Sequence, residues 1–251
     1  MKITMIHGQN HKGSTYNIGR LLADKLAKED EITEFFLPRD LNHFCMGCYQ
    51  CIEDDTKCPY YTEKRIITDS MEKSDLLIFT TPNYCMGPSA SMKALLDLMF
   101  TYWMTHRPRE WMFRKKAAVI CTAAGGGNRQ AIKGVTKSLL FWGVPYIKSY
   151  GINVQAMNWA DVKENTKIKI EKDMVKLAQK LTHVERPRVD IKTKFIFFMM
   201  AKMHKAGWDA SPIERQYWSE RGWFSKERPW KKRSLAIKKP DCLEDVRETW
   251  V

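Results

Sequence analysis

Four of the seven cysteines fall within fourteen positions: Cys45, Cys48, Cys51 and Cys58. The first three form C-x2-C-x2-C, and Pro59 follows the fourth. In a reducing compartment, thiols this close together read as metal ligands or redox groups before disulfides. Compact thiolate runs ending in Cys-Pro are the ligand pattern of bacterial ferredoxins, where the fourth cysteine serves a second cluster. Here all four could reach one [4Fe–4S] cluster. Zinc prefers two separated pairs and fits the spacing less well. Three readings stay open: an iron–sulfur cluster, thiols without a metal, and zinc. Cys85, Cys121 and Cys242 read as packing residues.

Three further segments carry ligand-binding chemistry. The first runs from His7 to Asn17 and holds Gly8, Gln9, His11, Gly13, Ser14, Thr15, Tyr16 and Asn17. Its glycines let backbone approach a ligand, and the helix behind it offers unpaired N–H groups at a positive dipole end. Ser14, Thr15 and Asn17 add short polar side chains, a set suited to a phosphate monoester. The segment is neither a dinucleotide fingerprint nor a Walker loop, and a plain N-cap turn is the bland alternative. The second segment, Thr80 to Pro88, is stiffened by Pro82 and Pro88 and bends at Gly87. Its amides, with Tyr84 and Met86, could edge a flat ring. The third, Ala123 to Asn128, exposes bare backbone at Gly125, Gly126 and Gly127, or is merely a flexible loop.

The apolar pattern says how these segments are held. Strands are expected at residues 2–7, 31–37, 76–81, 117–123 and 145–154. Between them come helices: one from Ser14 with Ile18, Leu21, Leu22 and Leu26 on a face, and one over 63–73 with Ile66, Ile67, Ser70 and Met71 inward. A third should open at Pro88, and two more cover 129–142 and 161–182. Five β/α units imply a doubly wound parallel sheet with right-handed crossovers. Ligands of such sheets bind beyond the carboxyl ends of the strands, where all three segments lie. The cysteine segment reads as a loop after the second strand.

Hydrophobic residues at 44% and charged residues at 28% exclude a disordered or fibrous chain. No stretch reaches the roughly 18 apolar residues of a membrane span. The N-terminus turns polar too early for a signal peptide, so a cytoplasmic location is expected. Net charge is +13, and residues 186–239 supply ten of those charges, with fifteen Lys/Arg against five Asp/Glu. The β/α alternation stops near residue 185. This divides the chain into an α/β domain at 1–184 and a basic extension at 185–251. Five of the nine tryptophans (Trp208, Trp218, Trp223, Trp230 and Trp250) lie in the extension, which argues for an ordered segment that docks on something.

At this point the sequence resembles the NADPH-dependent FMN reductases of the flavodoxin-like fold. The matching stretches are the 8–17 loop, TTPNYCMGPSASMKALLDLM with its Pro-x-Tyr, Lys93 and Asp97, and the glycine loop, within residues 1–182. The family's first loop is Gly-Ser-x-Arg-x-x-Ser, and here Gln9 and His11 take the Ser and Arg places. The resemblance implies that Gln9, His11, Gly13, Ser14, Thr15, Tyr16 and Asn17 hold the FMN phosphate. Pro82, Asn83, Tyr84, Met86 and Gly87 would border the isoalloxazine. Ala124, Gly125, Gly126 and Gly127 would close its other side. The compact cysteine motif is similar to that of the iron–sulfur flavoprotein branch, with Cys45, Cys48, Cys51 and Cys58 as implied ligands of a 4Fe-4S cluster.

The function expected is an FMN-dependent NAD(P)H oxidoreductase serving a quinone, another aromatic or a protein acceptor. No catalytic side chain is assigned. A flavodoxin-like electron carrier is the alternative, though such carriers tend to be short and acidic. Phe100, Tyr102, Trp103 and Trp111 suggest a homodimer or higher oligomer with the flavin near the boundary, or else packing beneath the extension. Nucleic acid is disfavoured for want of a recognition motif. In residues 190–208, Phe195, Phe198, Met199 and Lys202 mark a helical face expected to dock on the domain. Contact of that face with a membrane surface is the less favoured alternative.

Overall fold

The uninterrupted apolar runs become the middle of a parallel sheet. A computed structural model describes residues 1–231. Its strands are β1 (Ile3–His7), β2 (Ile32–Phe36), β3 (Leu76–Tyr84), the two-residue β4 (Gly87–Pro88), β5 (Lys116–Ala123) and β6 (Tyr146–Asn153). The order is β2-β1-β3-β5-β6, all parallel, and β4 turns back antiparallel on the end of β3. Ile3 of β1 lies level with Ile32 on one side and Leu76 on the other. The strand order therefore reverses between β1 and β3. This is the flavodoxin-like doubly wound arrangement, with five parallel strands as expected.

Helices cover both faces. α1 (Ser14–Ala23) and α6 (Glu164–His183) bury Ile18, Leu22, Ile170, Met174 and Leu181 against Met5, Ile78 and Ile120. α3 (Tyr61–Lys73), α4 (Ala90–Leu98) and α5 (Asn128–Phe141) bury Ile67, Met71, Leu95 and Leu139 against Ile6, Phe79 and Val119. Fully buried side chains of this kind each contribute about 1.5–3 kcal/mol by leaving water.

Four local expectations need correction. Ile66 is 59% exposed, because the inward face of α3 is set by Lys64, Ile67, Thr68 and Met71. α4 does not open at Pro88. Pro88 pairs with Asn83 in the β4 ladder, and Ser89 caps the helix by accepting from Met92 N–H. Cys85 is exposed at the tip of that turn rather than packed, whereas Cys121 is fully buried. The cysteine segment is not all loop, since α2 (Gln50–Glu53) forms within it.

Beyond α6 come α7 (Ile191–Lys205) and α8 (Pro212–Glu220). The sequence pattern did not single out α8, although Ser211 at its cap and Pro212 behind it mark its start. α7 docks on the domain by the opposite face from the one expected. Thr193, Ile196, Phe197, Met200, Ala201 and His204 are buried, and Phe195, Phe198, Met199 and Lys202 point outward. The reason is aromatic: Phe197 sits 5.0 Å from Trp218 and 5.8 Å from Phe113, filling the centre of a cluster with Met104 and Trp223. Phe195 has no such seat, and Phe198 meets only the cluster's edge, at 6.2 Å from Trp230 and beneath Arg228. Polar contacts fix the dock. Trp218 Nε1 donates to His106 O at 2.6 Å, Tyr217 Oη donates to Pro108 O at 2.7 Å, and His106 pairs with the buried Glu214 at 2.7 Å. Trp208, by contrast, is exposed. Trp250 and Cys242 lie outside the described residues.

The rings expected at a dimer interface are used within the chain. Tyr102 is buried, Trp103 stacks on Phe141 at 4.4 Å, and Trp111 meets Tyr102 edge-on. They give no separate support for an oligomer. Among the described residues, no helix is long and apolar enough to cross a membrane.

Two buried cations, Lys115 and Lys116, lie at the amino edge of the sheet, away from the loops. Lys115 donates to Glu72 O at 2.6 Å and to Ser74 O, and burial lowers its pKa from 10.5 to about 8. Between those values the unfolded chain binds the proton and the folded chain does not, so stability rises with pH across that window. The cost is fully present below pH 8. Replacing Lys115 with Met should remove at most about 3 kcal/mol of this slope. Urea melts of both proteins at neutral and alkaline pH check it; a constant difference between them would contradict it.

Candidate functional site

Where β1 ends, backbone must pass very close to the neighbouring loop. Gly8 N–H donates to Thr80 O at 2.7 Å, and Ser89 Oγ donates to Gly8 O at 2.6 Å. A Cβ on Gly8 would lie 2.5 Å from Ser89 Oγ, so only glycine fits. α1 then starts at Ser14 behind Gly13, which has no side chain to cap it. The first-turn N–H groups therefore have no side-chain acceptor at the cap. Ser14 Oγ is buried and has no partner. A helix start without a side-chain cap, beside an unpartnered buried hydroxyl, has the chemistry to hold an anion.

The other expected residues of this loop divide. Thr15 Oγ1 meets Thr122 Oγ1 at 2.5 Å, and Asn17 Nδ2 donates to Lys12 O and Gly13 O, so both brace the loop. Tyr16 lies 5.1 Å from the His7 ring. Gln9 Nε2 donates to Tyr84 Oη at 2.5 Å, joining the first loop to the second. His11 is exposed beside Gly13.

Beneath the loop is a buttress that sequence reasoning missed. His7 is buried, with Nδ1 2.9 Å from Thr80 Oγ1 and Nε2 2.8 Å from Glu34, and its ring stacks on Phe36. Arg20 donates to the other Glu34 oxygen at 2.9 Å. Burial pushes the Glu34 carboxyl up, but the His7 hydrogen bond and the charges of His7, Arg20 and Lys12 hold it below its ordinary value. Glu34, in the middle of the strand run EITEFFL, was the available signal.

The second and third loops touch. Cys85 and Met86 both adopt left-handed backbone, φ 48° and 63°, in the two-residue turn between Tyr84 and Gly87. Mirror-image turns favour Gly or Asn, so each residue costs on the order of 1 kcal/mol. Tyr84 and Met86 are exposed on the turn, while Pro82 is buried below it. Gly127 has φ 89°, and a Cβ there would lie 2.3 Å from Asn83 Nδ2 and 2.9 Å from Met86 Sδ. Asn83 Nδ2 donates to Gly126 O at 2.7 Å, and Asn153 Nδ2 donates to Gly125 O at 2.9 Å. Ala124, Gly125 and Gly126 are exposed, and a Cβ on either glycine would meet nothing within 4 Å. Asn83 Oδ1 and Asn128 Oδ1 are buried without partners. Asn128 closes the third segment but was given no role there, and Asn153 escaped the sequence reading, though it ends the last strand on the same edge. Lys93 and Asp97 instead pair with each other at 2.5 Å on the exposed side of α4.

The four clustered cysteines follow the carboxyl end of β2, and Cys45 and Cys58 lie near enough to Cys51 for their charges to bear on it, but the four differ in exposure. Cys45 and Cys48 are exposed, while Cys51 and Cys58 are buried in the core. Left-handed Gly47 and Tyr49 turn the first pair outward, and α2 turns Cys51 inward. Burial raises the Cys51 thiol pKa despite the nearby Lys64 charge. Among the described residues, no three His, Cys, Asp or Glu side chains are grouped to hold a metal. As placed, the four thiols do not form a ready-made cluster site.

The model of a family described as NADPH-dependent FMN reductase matches residues 1–158, a stretch that includes all three loops. An iron–sulfur flavoprotein of Methanocaldococcus jannaschii is 34% identical over 100 residues, covering 39% of this chain and 51% of that one. An iron–sulfur flavoprotein of Archaeoglobus fulgidus is 26% identical over 130 residues, covering 50% and 57%. The chain thus spans about half the length of the curated relatives it matches. A Bacillus anthracis FMN-dependent NADH-azoreductase, solved in complex with FMN, shares the fold. Its TM-score is 0.54 at 12% identity, covering 71% of this chain and 100% of that one. With more than half its length matched, loops included, the chain belongs to the NADPH-dependent FMN reductase family.

Proposed function

We propose that the protein binds FMN across the three loops and passes electrons from NAD(P)H to a quinone, another small aromatic or a protein acceptor. One observation carries this reading. Each loop holds one buried polar atom with no partner: Ser14 Oγ, Asn83 Oδ1 and Asn128 Oδ1. Idle buried polar groups cost about 1–3 kcal/mol each unless a ligand satisfies them. Their chemistry fits FMN, with a donor and a helix N-terminus for the phosphate, and side-chain oxygens beside open backbone for a ring bearing N–H groups.

Bound there, FMN supplies the hydride chemistry. The chain's own residues do the rest. Ser14 and the first-turn N–H groups of α1 hold the phosphate. Tyr84 and Met86 edge one side of the ring and Gly125 to Gly127 the other, and the buried His7–Glu34 pair keeps the loops in register. No side chain has to exchange a proton in the step from nicotinamide. The curated relatives are named for iron and sulfur as well as flavin, and Cys45, Cys48, Cys51 and Cys58 are the candidate ligands here. As placed they do not form a ready-made cluster site, and no electron step is routed through them.

Two outcomes are expected. Flavin released from the purified protein is FMN by mass spectrometry, and Ser14→Glu lowers its retention about ten-fold or more by placing a carboxylate against the phosphate. FAD as the sole species would sink the assignment, and unchanged occupancy in the variant would remove Ser14 from the site. In anaerobic mixing, NADPH or NADH bleaches the bound flavin promptly. Slow or absent bleaching with both would favour the electron-carrier reading.

A further inference from the structure

α7 is a helix with two apolar faces, and the described residues cover only one of them. The outward face holds Ile191, 85% exposed, and Phe195, 65% exposed, with Phe198 and Met199 beside them. Trp208 follows just past the helix end and is also exposed. Lys192, Lys194, Lys202 and Lys205 stand exposed among and around these side chains. From Ile191 to Trp208 there is no Asp or Glu. The two acids that bracket the stretch are occupied. Asp190 caps α7 by accepting from Thr193 N–H, and Asp209 is buried between His204 and Arg215.

We propose that this outward face of α7 lies on the surface of an anionic lipid bilayer. A helix about 22 Å long with large apolar side chains and lysines on one side can sink those side chains to the headgroup boundary. The lysine stems run along the apolar surface while their ammonium groups reach lipid phosphates. α7 is already folded by its dock on the domain, so binding carries no ordering cost of the kind that isolated amphipathic segments meet. The charge pattern discriminates among occupants. A two-fold contact with a second copy would set the same lysines against each other. A nucleic acid would satisfy the lysines and leave Ile191, Phe195 and Met199 in water. Orientation is also permissive. The aromatic cluster beneath α7 includes Leu140 and Phe141, at the end of α5 remote from its glycine-loop start, so a bilayer there leaves the three loops uncovered.

The test uses the full-length protein and co-sedimentation with vesicles of phosphatidylcholine alone or mixed with phosphatidylglycerol. Binding should appear on the mixed vesicles and be about ten-fold weaker or absent on the neutral ones. Ile191→Glu/Phe195→Glu changes two exposed side chains outside the loops, and it should weaken binding about ten-fold or more. Lys192→Gln/Lys194→Gln should weaken it as well. Circular dichroism melts and flavin content should match wild type in both variants. Failure of the wild-type protein to bind mixed vesicles overturns the proposal. So does full binding by Ile191→Glu/Phe195→Glu, which would leave charge attraction alone. A dimer seen by light scattering and lost in that variant assigns the face to a second copy and overturns it too.

Discussion

The backbone of Gly8 passes close against the end of the adjacent strand, where a side chain would collide. Gly8 is hydrogen-bonded on one side to Thr80 and on the other to Ser89. Ser89 in turn donates its N–H to Thr81 Oγ1 and caps α4. Four residues thereby tie the exit of β1 to the exit of β3, across the line where strand order reverses. A parallel sheet opens a crevice at that line, and here the latch sets its width. The start of α1 and the hairpin at Tyr84 can face a common ligand only while Gly8 keeps its place. The His7–Glu34–Arg20 chain serves the same end from below, because it holds the last residue of β1 under the loop.

The basic extension answers a different need. Its cluster around Phe197 covers Met104 and Phe113, which the five-stranded sheet alone would leave in water. Two histidine–carboxylate pairs, His204 with Asp209 and His106 with Glu214, sit inside this second core. Each pair sets a ring nitrogen against a carboxylate and so selects one packing over others, while His204 Nε2 is buried without a partner among the described residues. Arg107 extends the same strap to the cysteine segment through the carbonyls of Cys51 and Glu53 and the carboxylate of Asp55. The extension thus packs on the residues that anchor the arm carrying Cys51.

The sheet and its helices were legible because burial on both faces leaves unbroken runs such as LLIFTT, and because helix faces repeat at a fixed period. The three loops were legible because glycine, proline and short polar residues are scarce elsewhere along that edge. What stayed hidden depends on distance in space. Nothing local marks His7 as the partner of Glu34, or Asn153 as the clamp on Gly125. Ile66 and Ile67 are equal by composition, and only the packing of Lys64 and Met71 decides between them. The face of α7 was misread for the same reason. Phe195, Phe198 and Met199 make as good a stripe as Ile196, Phe197 and Met200, and the pocket between Phe113 and Trp218 selects the second. The cysteine spacing suggested convergence, yet the left-handed turns at Gly47 and Tyr49 send the first pair outward.

The proposed FMN site centres on the uncapped start of α1 at the β1–β3 crevice. Its most direct test compares FMN with riboflavin for binding to flavin-free protein by fluorescence quenching. The two ligands share the ring and differ in the phosphate. FMN is expected to bind about a hundred-fold tighter, with the advantage falling as salt is added. Equal affinity for the two would contradict it.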